Sequence, residues 1–216
     1  MIKAVIFDLD GLLIDSEIIS YKLYQELLKP YGYEFSINDY AENYSGKPAV
    51  VNMNAIIKRF NLSLNIETGL NKVKLMEKEF LADGVNLKAG AKELLEYLKT
   101  NQYKIAMASS SLKERALDIL DKHHIQDYFD MFVFGYEVEK GKPNPDIFLK
   151  ACEKLGESPE DCLVLEDSEA GIQAAYSANV PVICIPDMKK PNQTYEEMLV
   201  LSLDSLYDVI SYLEKK

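Results

Sequence analysis

Apolar and polar positions along the chain fall into two regimes. At the start, Ala4, Val5, Ile6 and Phe7 form an unbroken apolar run. A strand covered on both faces has this pattern, whereas a half-exposed strand alternates. From Ser16 to about Asp83 only helical spacing is found. Ile19, Leu23 and Leu27 share one face, with Tyr24, Leu28 and Tyr31 beside it, and Gly32 stops that helix. Met53, Ile56, Ile57 and Phe60 repeat the spacing, and Leu70, Val73 and Phe80 suggest a third helix. Between the first two, Asn43-Tyr44-Ser45-Gly46-Lys47-Pro48 reads as a loop.

After Gly84, helices and strands alternate. Leu94, Leu95 and Leu98 mark a helix, Ile105 to Ala108 a strand ending in Ser109-Ser110-Ser111, and Ala116, Ile119 and Leu120 the next helix. Phe132 to Phe134 is a strand. Asn144-Pro145 then opens a helix, with Asn as cap and Pro in the first turn; its buried stripe is Ile147, Phe148, Ala151, Cys152 and Leu155, and Gly156 ends it. Leu163 to Leu165 is a strand ending in Glu166-Asp167-Ser168, followed by a small-residue helix over 169–178, a strand from Val182 to Ile185 and a closing helix after Ser205. This alternation predicts an α/β fold with a doubly wound parallel five-stranded core sheet. Residues 1–15 and 84–216 would form the core and residues 16–83 an inserted α-helical cap. The insert departs from the sheet edge where open α/β folds hold their ligands. It is therefore expected to cover the site, with hinges at 15–17 and 83–86.

The strand ends carry the candidate chemistry. Asp8 and Asp10 end the first strand, and residues two apart on extended backbone point to the same side. An acidic turn would give the same letters, because Asp and Gly are common turn formers. The other strands, however, bring Ser109, Lys142 within Gly141-Lys142-Pro143, and Glu166-Asp167 to the same edge. Neighbouring carboxylates repel unless a cation or a shared proton offsets them, and oxygen donors with few nitrogens suit Mg²⁺. A magnesium ion, an ammonium and a hydroxyl are what a transferring phosphoryl group needs around its oxygens. An Asp carboxylate can itself attack phosphorus.

Composition narrows the partners. The 216 residues carry a formal charge of −11, from 35 acidic and 24 basic side chains. That opposes nucleic acid or an anionic membrane as the main partner but leaves room for a small phosphorylated metabolite at a locally cationic site. No apolar run approaches the ~20 residues of a membrane span, and the chain enters a strand pattern at once, without a signal peptide. A cytoplasmic monomer is expected. Cys152, Cys162 and Cys184 lie in or beside apolar segments and read as buried reduced thiols. His123 and His124 are adjacent and so face different ways on a helix, which argues against a joint metal site.

DLDGLLIDSE, MASSS, GKPNPDIF and VLEDSEAGIQAA resemble the four motifs of the haloacid dehalogenase (HAD) superfamily, closest to its β-phosphoglucomutase-like branch with a helical cap after the first motif. The resemblance implies that Asp8 is the nucleophile and Asp10 the general acid and then base. Ser109, with Ser110 beside it, would bind the phosphoryl oxygens, and Lys142 would offset charge. Asp8, the backbone carbonyl of Asp10, Glu166 and Asp167 would hold Mg²⁺. Lys47 is the candidate substrate contact from the cap. Dehalogenases of the superfamily lack the second aspartate, because a halide leaves without a proton whereas an alkoxide needs one. β-Phosphoglucomutases carry a histidine in the first cap helix and an arginine in the cap loop; Ser20 and Ala49 stand at those positions here. Arg59, the insert's only arginine, reads as buried in a helical pattern far from that loop. Lys47, Lys72 and Lys74 supply charge without a bidentate fork. The expectation is a Mg²⁺-dependent phosphatase of a small sugar or nucleoside phosphate, acting through an aspartyl-phosphate. A β-phosphoglucomutase is the alternative. A non-catalytic binding module is a minor one, opposed by the intact set of site residues.

Overall fold

The apolar run at the start of the chain is strand β1 (Ala4–Phe7), and all of it is buried. The structure is a computed structural model that describes residues 1–82 and 84–215. Asp83, which the sequence places at the return crossing, lies outside the described residues. After β1 come four helices, α1 (Ser16–Leu28), α2 (Ile37–Asn43), α3 (Ala49–Arg59) and α4 (Ile66–Ala82). The alternating half follows as α5 (Ala91–Thr100), β2 (Lys104–Ser109), α6 (Lys113–Lys122), β3 (Met131–Phe134) and α7 (Asp146–Leu155). It continues with β4 (Cys162–Glu166), α8 (Glu169–Ser177), β5 (Val182–Cys184), α9 (Gln193–Glu196), β6 (Leu201–Ser202) and α10 (Leu206–Leu213).

The strands form one parallel sheet in the order β3-β2-β1-β4-β5-β6. Six strands replace the expected five. The sixth has two residues, both exposed, so it offers no buried run to read. β1 lies between β2 and β4, where the strand order reverses; this is where open α/β sheets bind ligands beyond the carboxyl ends of their strands. On one face, Ala4, Ile6, Ala106, Ala108, Val164 and Val182 pack with the apolar stripes of α7 and α8. The alternate positions Val5, Phe7, Ile105, Met107, Leu163 and Leu165 are equally buried, as the two-residue period requires. The three cysteines are buried free thiols.

Two compact units are present, Met1–Asp15 with Asn86–Lys216, and Ser16–Val85. In the first unit the chain's departure and return run side by side: the Asp15 N–H donates to the Asn86 carbonyl at 2.9 Å and the Lys88 N–H to the Leu13 carbonyl at 2.9 Å.

The helical unit departs from its reading in three places. Helix α2 escaped the periodicity argument because Tyr40 is its one buried residue; Ser36 caps it by accepting from the Asp39 N–H at 3.2 Å. Tyr31 is exposed, not part of the buried face, although Gly32 does end that segment with a left-handed backbone. Arg59 is exposed rather than buried, and its guanidinium reaches Asp39 at 2.7 Å and the Tyr44 hydroxyl at 3.2 Å, at the start of the polar loop. In the sheet unit, Asn144 does not cap α7. Its amide donates to the Gly141 carbonyl at 3.0 Å, and Pro145 takes the cap position.

Candidate active site

Asp8 follows β1 without leaving the sheet: its N–H donates to the Leu165 carbonyl of β4 at 3.1 Å. The chain then tightens into a turn in which Leu13 and Ile14 both donate to the Leu9 carbonyl, at 3.0 and 3.1 Å. Gly11 adopts a φ of +83° in that turn, and a Cβ there would lie 2.2 Å from Asp167 Oδ2. The left-handed backbone favours glycine here, and the absent Cβ leaves room for the Asp167 carboxylate, just past β4, to rest against the turn.

Lys142 binds the site together from between β3 and α7. Its side chain is 7% exposed, and its ammonium donates to Asp8 Oδ1 at 2.5 Å, to Glu166 Oε1 at 2.6 Å and to the Ala108 carbonyl at 3.2 Å. It also lies 5.0 Å from the centre of the Phe148 ring, a cation–π distance. Burial alone would lower its pKa; the Asp8 and Glu166 carboxylates outweigh burial and hold it above the ordinary lysine range. Asp8 is pushed up to about 7 by burial, against the pull of Lys142 and with the charges of Glu166 and Asp10 adding to the rise.

Glu166 is wholly buried. Its Oε2 accepts from the Asp167 N–H, the Ser168 N–H and the Ser168 hydroxyl at 3.0, 3.0 and 2.9 Å. Ser168 in turn caps α8 by accepting from the Gly171 N–H at 3.1 Å. A Cβ on Gly171 would lie 1.8 Å from Glu166 Oε1. The end of a flexible side chain usually yields to such a clash, but this one is fixed by its partners on both oxygens. Gly171→Ala is therefore expected to displace Glu166 from Lys142 and cost about 1–3 kcal/mol, the usual range for overpacking. Thermal unfolding of the variant measures it; an unchanged melting temperature would show that the carboxylate can move.

Ser109 ends β2, is 1% exposed, and accepts from the Ser111 N–H at 3.0 Å. Ser110 is exposed beside it. Asp10 is half-buried and turned to a different set of partners, Ser111 and Arg115, at 2.5 to 3.1 Å. Lys47 belongs to the helical unit, where its ammonium donates to the Asn43 carbonyl at 2.6 Å. Asp8, Ser109, Lys142, Glu166 and Asp167 thus gather at one edge of the sheet unit. Sequence reasoning missed Arg115 and the part played by Ser111.

Among the described residues, Asp8, Glu166 and Asp167 offer carboxylate oxygens within 4.8 Å of one another. An all-oxygen donor set suits a hard divalent cation. With Asp10 there are four carboxylates against the two cations Lys142 and Arg115, so full ionisation leaves two negative charges. A Mg²⁺ ion fits these residues in both donor chemistry and charge. No helix among the described residues is long and apolar enough to cross a membrane.

Comparison with known proteins bears on the same site. Residues 5–185 match the family model of haloacid dehalogenase-like hydrolases. The chain is similar to the phosphorylated carbohydrates phosphatase of Thermotoga maritima, at 32% identity over 82% of each chain. It is also similar to the β-phosphoglucomutase of Bacillus subtilis, at 34% identity over 82% of this chain and 80% of that one. Among solved structures, β-phosphoglucomutase from Clostridium difficile superposes with a TM-score of 0.78 at 26% identity, covering 100% of this chain and 96% of the other.

Proposed function

Because the chain belongs to the haloacid dehalogenase-like hydrolase family, we propose that it is a cytoplasmic, Mg²⁺-dependent phosphatase of small phosphate monoesters, sugar or nucleoside phosphates, working through an aspartyl-phosphate. One observation carries this reading: the Asp8 carboxylate closes the central strand, buried and held by the Lys142 ammonium at 2.5 Å amid further carboxylates. Asp8, Glu166, Asp167 and the Asp10 carbonyl would hold the metal, which when bound supplies charge to offset that of the phosphoryl oxygens.

The chain's own residues supply the rest. Lys142 neutralises Asp8 so that a dianionic phosphate can approach. The Ser109 hydroxyl, with Ser110, orients the phosphoryl oxygens. An Asp8 carboxylate oxygen forms a bond to phosphorus while the bond to the leaving oxygen breaks. The electron pair stays on that oxygen, which takes a proton from Asp10 and departs as an alcohol. Asp10, now a carboxylate, takes a proton from water; the water oxygen bonds to phosphorus, and Asp8 is released with inorganic phosphate. The helical unit would carry substrate selection, with Lys47 as its substrate contact.

The second reading, a β-phosphoglucomutase, is favoured by the similarity to mutases. A mutase must hold the second phosphate of a bisphosphate, best with a bidentate arginine. Arg59 is committed to Asp39 and Tyr44, and Ser20 and Ala49 stand where mutases of the branch have histidine and arginine. Water is therefore the expected acceptor. The test is a panel of phosphorylated metabolites assayed for free phosphate with Mg²⁺ and with EDTA. It includes β-glucose 1-phosphate plus a bisphosphate activator, with glucose 6-phosphate followed in parallel. Phosphate release that EDTA abolishes and Mg²⁺ restores is expected. Glucose 6-phosphate forming much faster than phosphate would promote the mutase, and full activity in chelator would remove the metal from the mechanism.

A further inference from the structure

Arg115 occupies the first turn of α6, where a cation is opposed by the helix dipole and a solvated surface position would be the ordinary reading. Its guanidinium is instead turned onto Asp10. Nη2 meets Asp10 Oδ1 at 2.9 Å and Nη1 meets Oδ2 at 3.1 Å, a bidentate fork. The Ser111 hydroxyl donates to the same Oδ2, and Nη1 of Arg115 donates to Ser111 Oγ at 2.9 Å. Both Asp10 oxygens are therefore oriented by α6 and the segment that leads into it, while Asp8, Glu166 and Asp167 form a separate cluster.

We propose that Arg115, with Ser111, is the positioning residue for Asp10: the fork holds the Asp10 carboxylate between turnovers, and one arm opens when Asp10 takes up the proton that it delivers to the leaving oxygen. The inference rests on the phosphatase reading and deepens it. As the phosphorus–oxygen bond breaks, its electron pair goes to the leaving oxygen and the Asp10 proton follows, so a misaimed Asp10 slows only reactions whose leaving group needs that proton. Arg115 touches no reacting atom in this scheme. The side chains of the pair are 21% and 31% exposed, so the ion pair adds little to stability, and Arg115 variants should fold.

The discriminating measurement is kcat/KM, which ends at leaving-group departure, for benzyl phosphate and 4-nitrophenyl phosphate. Benzyl alkoxide needs a proton to leave; nitrophenolate does not. Arg115→Met is expected to lower kcat/KM for benzyl phosphate about 10- to 100-fold, within the about 10²–10⁴-fold that a general acid contributes. It should change the value for 4-nitrophenyl phosphate by less than about threefold. Arg115→Lys, which keeps the charge but not the fork, should fall between Met and wild type. The double variant Asp10→Asn/Arg115→Met should lose no more than Asp10→Asn alone, since both act through one group. Equal losses on the two substrates, or additive losses in the double variant, would overturn the assignment and make Arg115 a phosphate-binding or purely structural residue. A wild-type protein that hydrolyses neither ester, or an Asp8→Asn variant that hydrolyses 4-nitrophenyl phosphate at the wild-type rate, would remove the phosphatase reading itself.

Discussion

Asp8→Asn is expected to fold, to bind phosphate monoesters, and to lose turnover by at least about 10³-fold, the scale seen when a covalent nucleophile is removed. The amide has nearly the shape of the carboxyl group, so the packing around it is kept, and the N–H bond to the Leu165 carbonyl is untouched. Nucleophilicity is what is lost, because an amide oxygen is a poor donor to phosphorus. Burial pushes the Asp8 carboxyl upward, so the neutral amide avoids that desolvation, while Lys142 keeps Glu166 as a partner. The melting temperature should therefore move far less than the activity. Mass spectrometry of acid-quenched protein is the second readout: a phosphate adduct on wild type and none on the variant. Phosphate release near the wild-type rate would sink Asp8 as the nucleophile.

Much of the sheet unit was legible because parallel strands buried on both faces write themselves as short apolar runs, as β1, β2, β4 and β5 do, and the edge strand β3 is an apolar run as well although its first residue is exposed. The same topology explains why the core of the site was legible. Asp8, Ser109 and Glu166 are strand-end residues, Lys142 and Asp167 follow strand ends, and a parallel sheet sends all of those ends to one edge. What stayed hidden has particular physical causes. β6 is two exposed residues, and its pairing is decided by backbone bonds to β5 and not by side-chain burial. Helix α2 rests on Tyr40, whose hydroxyl donates to Glu17 at 2.6 Å, a partner no periodicity reveals. Asn144 has the letters of a helix cap, but the helix starts one residue later, with Pro145 at the cap position, and the Asn144 amide donates back to the Gly141 carbonyl.

Arg115 was invisible for a different reason. In KERALDILDK it is one charge among many on an amphipathic helix, and nothing in that pattern separates a solvated arginine from one that turns toward the sheet. The signal that could have found it is electrostatic. Lys142 already serves Asp8 and Glu166, which leaves Asp10 and Asp167 without it, so a second cation had to be sought nearby, and the helix after β2 starts at the same sheet edge. Burial also adds to Glu166, which the sequence offered as a metal ligand beside Asp167. It is the most enclosed charge of the site, and it ties Lys142 to the start of α8.

Lys142→Met is expected to be the most damaging substitution for stability as well as for catalysis. The ammonium is the shared partner of Asp8 and Glu166, and the three side chains are 10% exposed or less, so solvent screens them little. Methionine fills the volume along Phe148 but leaves two buried carboxylates facing each other without the charge between them. Breaking a buried pair by removing one partner costs about 3–5 kcal/mol. For a chain of this size that is a fall in melting temperature of roughly 6–20 °C. Turnover should fall with it, because an uncompensated Asp8 repels the incoming phosphate. Lys142→Met/Glu166→Gln separates the two effects. Removing the second carboxylate's charge should restore part of the lost melting temperature, since Asp8 no longer faces a like charge, while turnover stays low, since nothing neutralises the nucleophile. Calorimetry and phosphate release on the same preparations would decide it. A single variant that melts like wild type would mean that water or bound cations screen the site, and that Lys142 is not what holds Asp8 and Glu166 together.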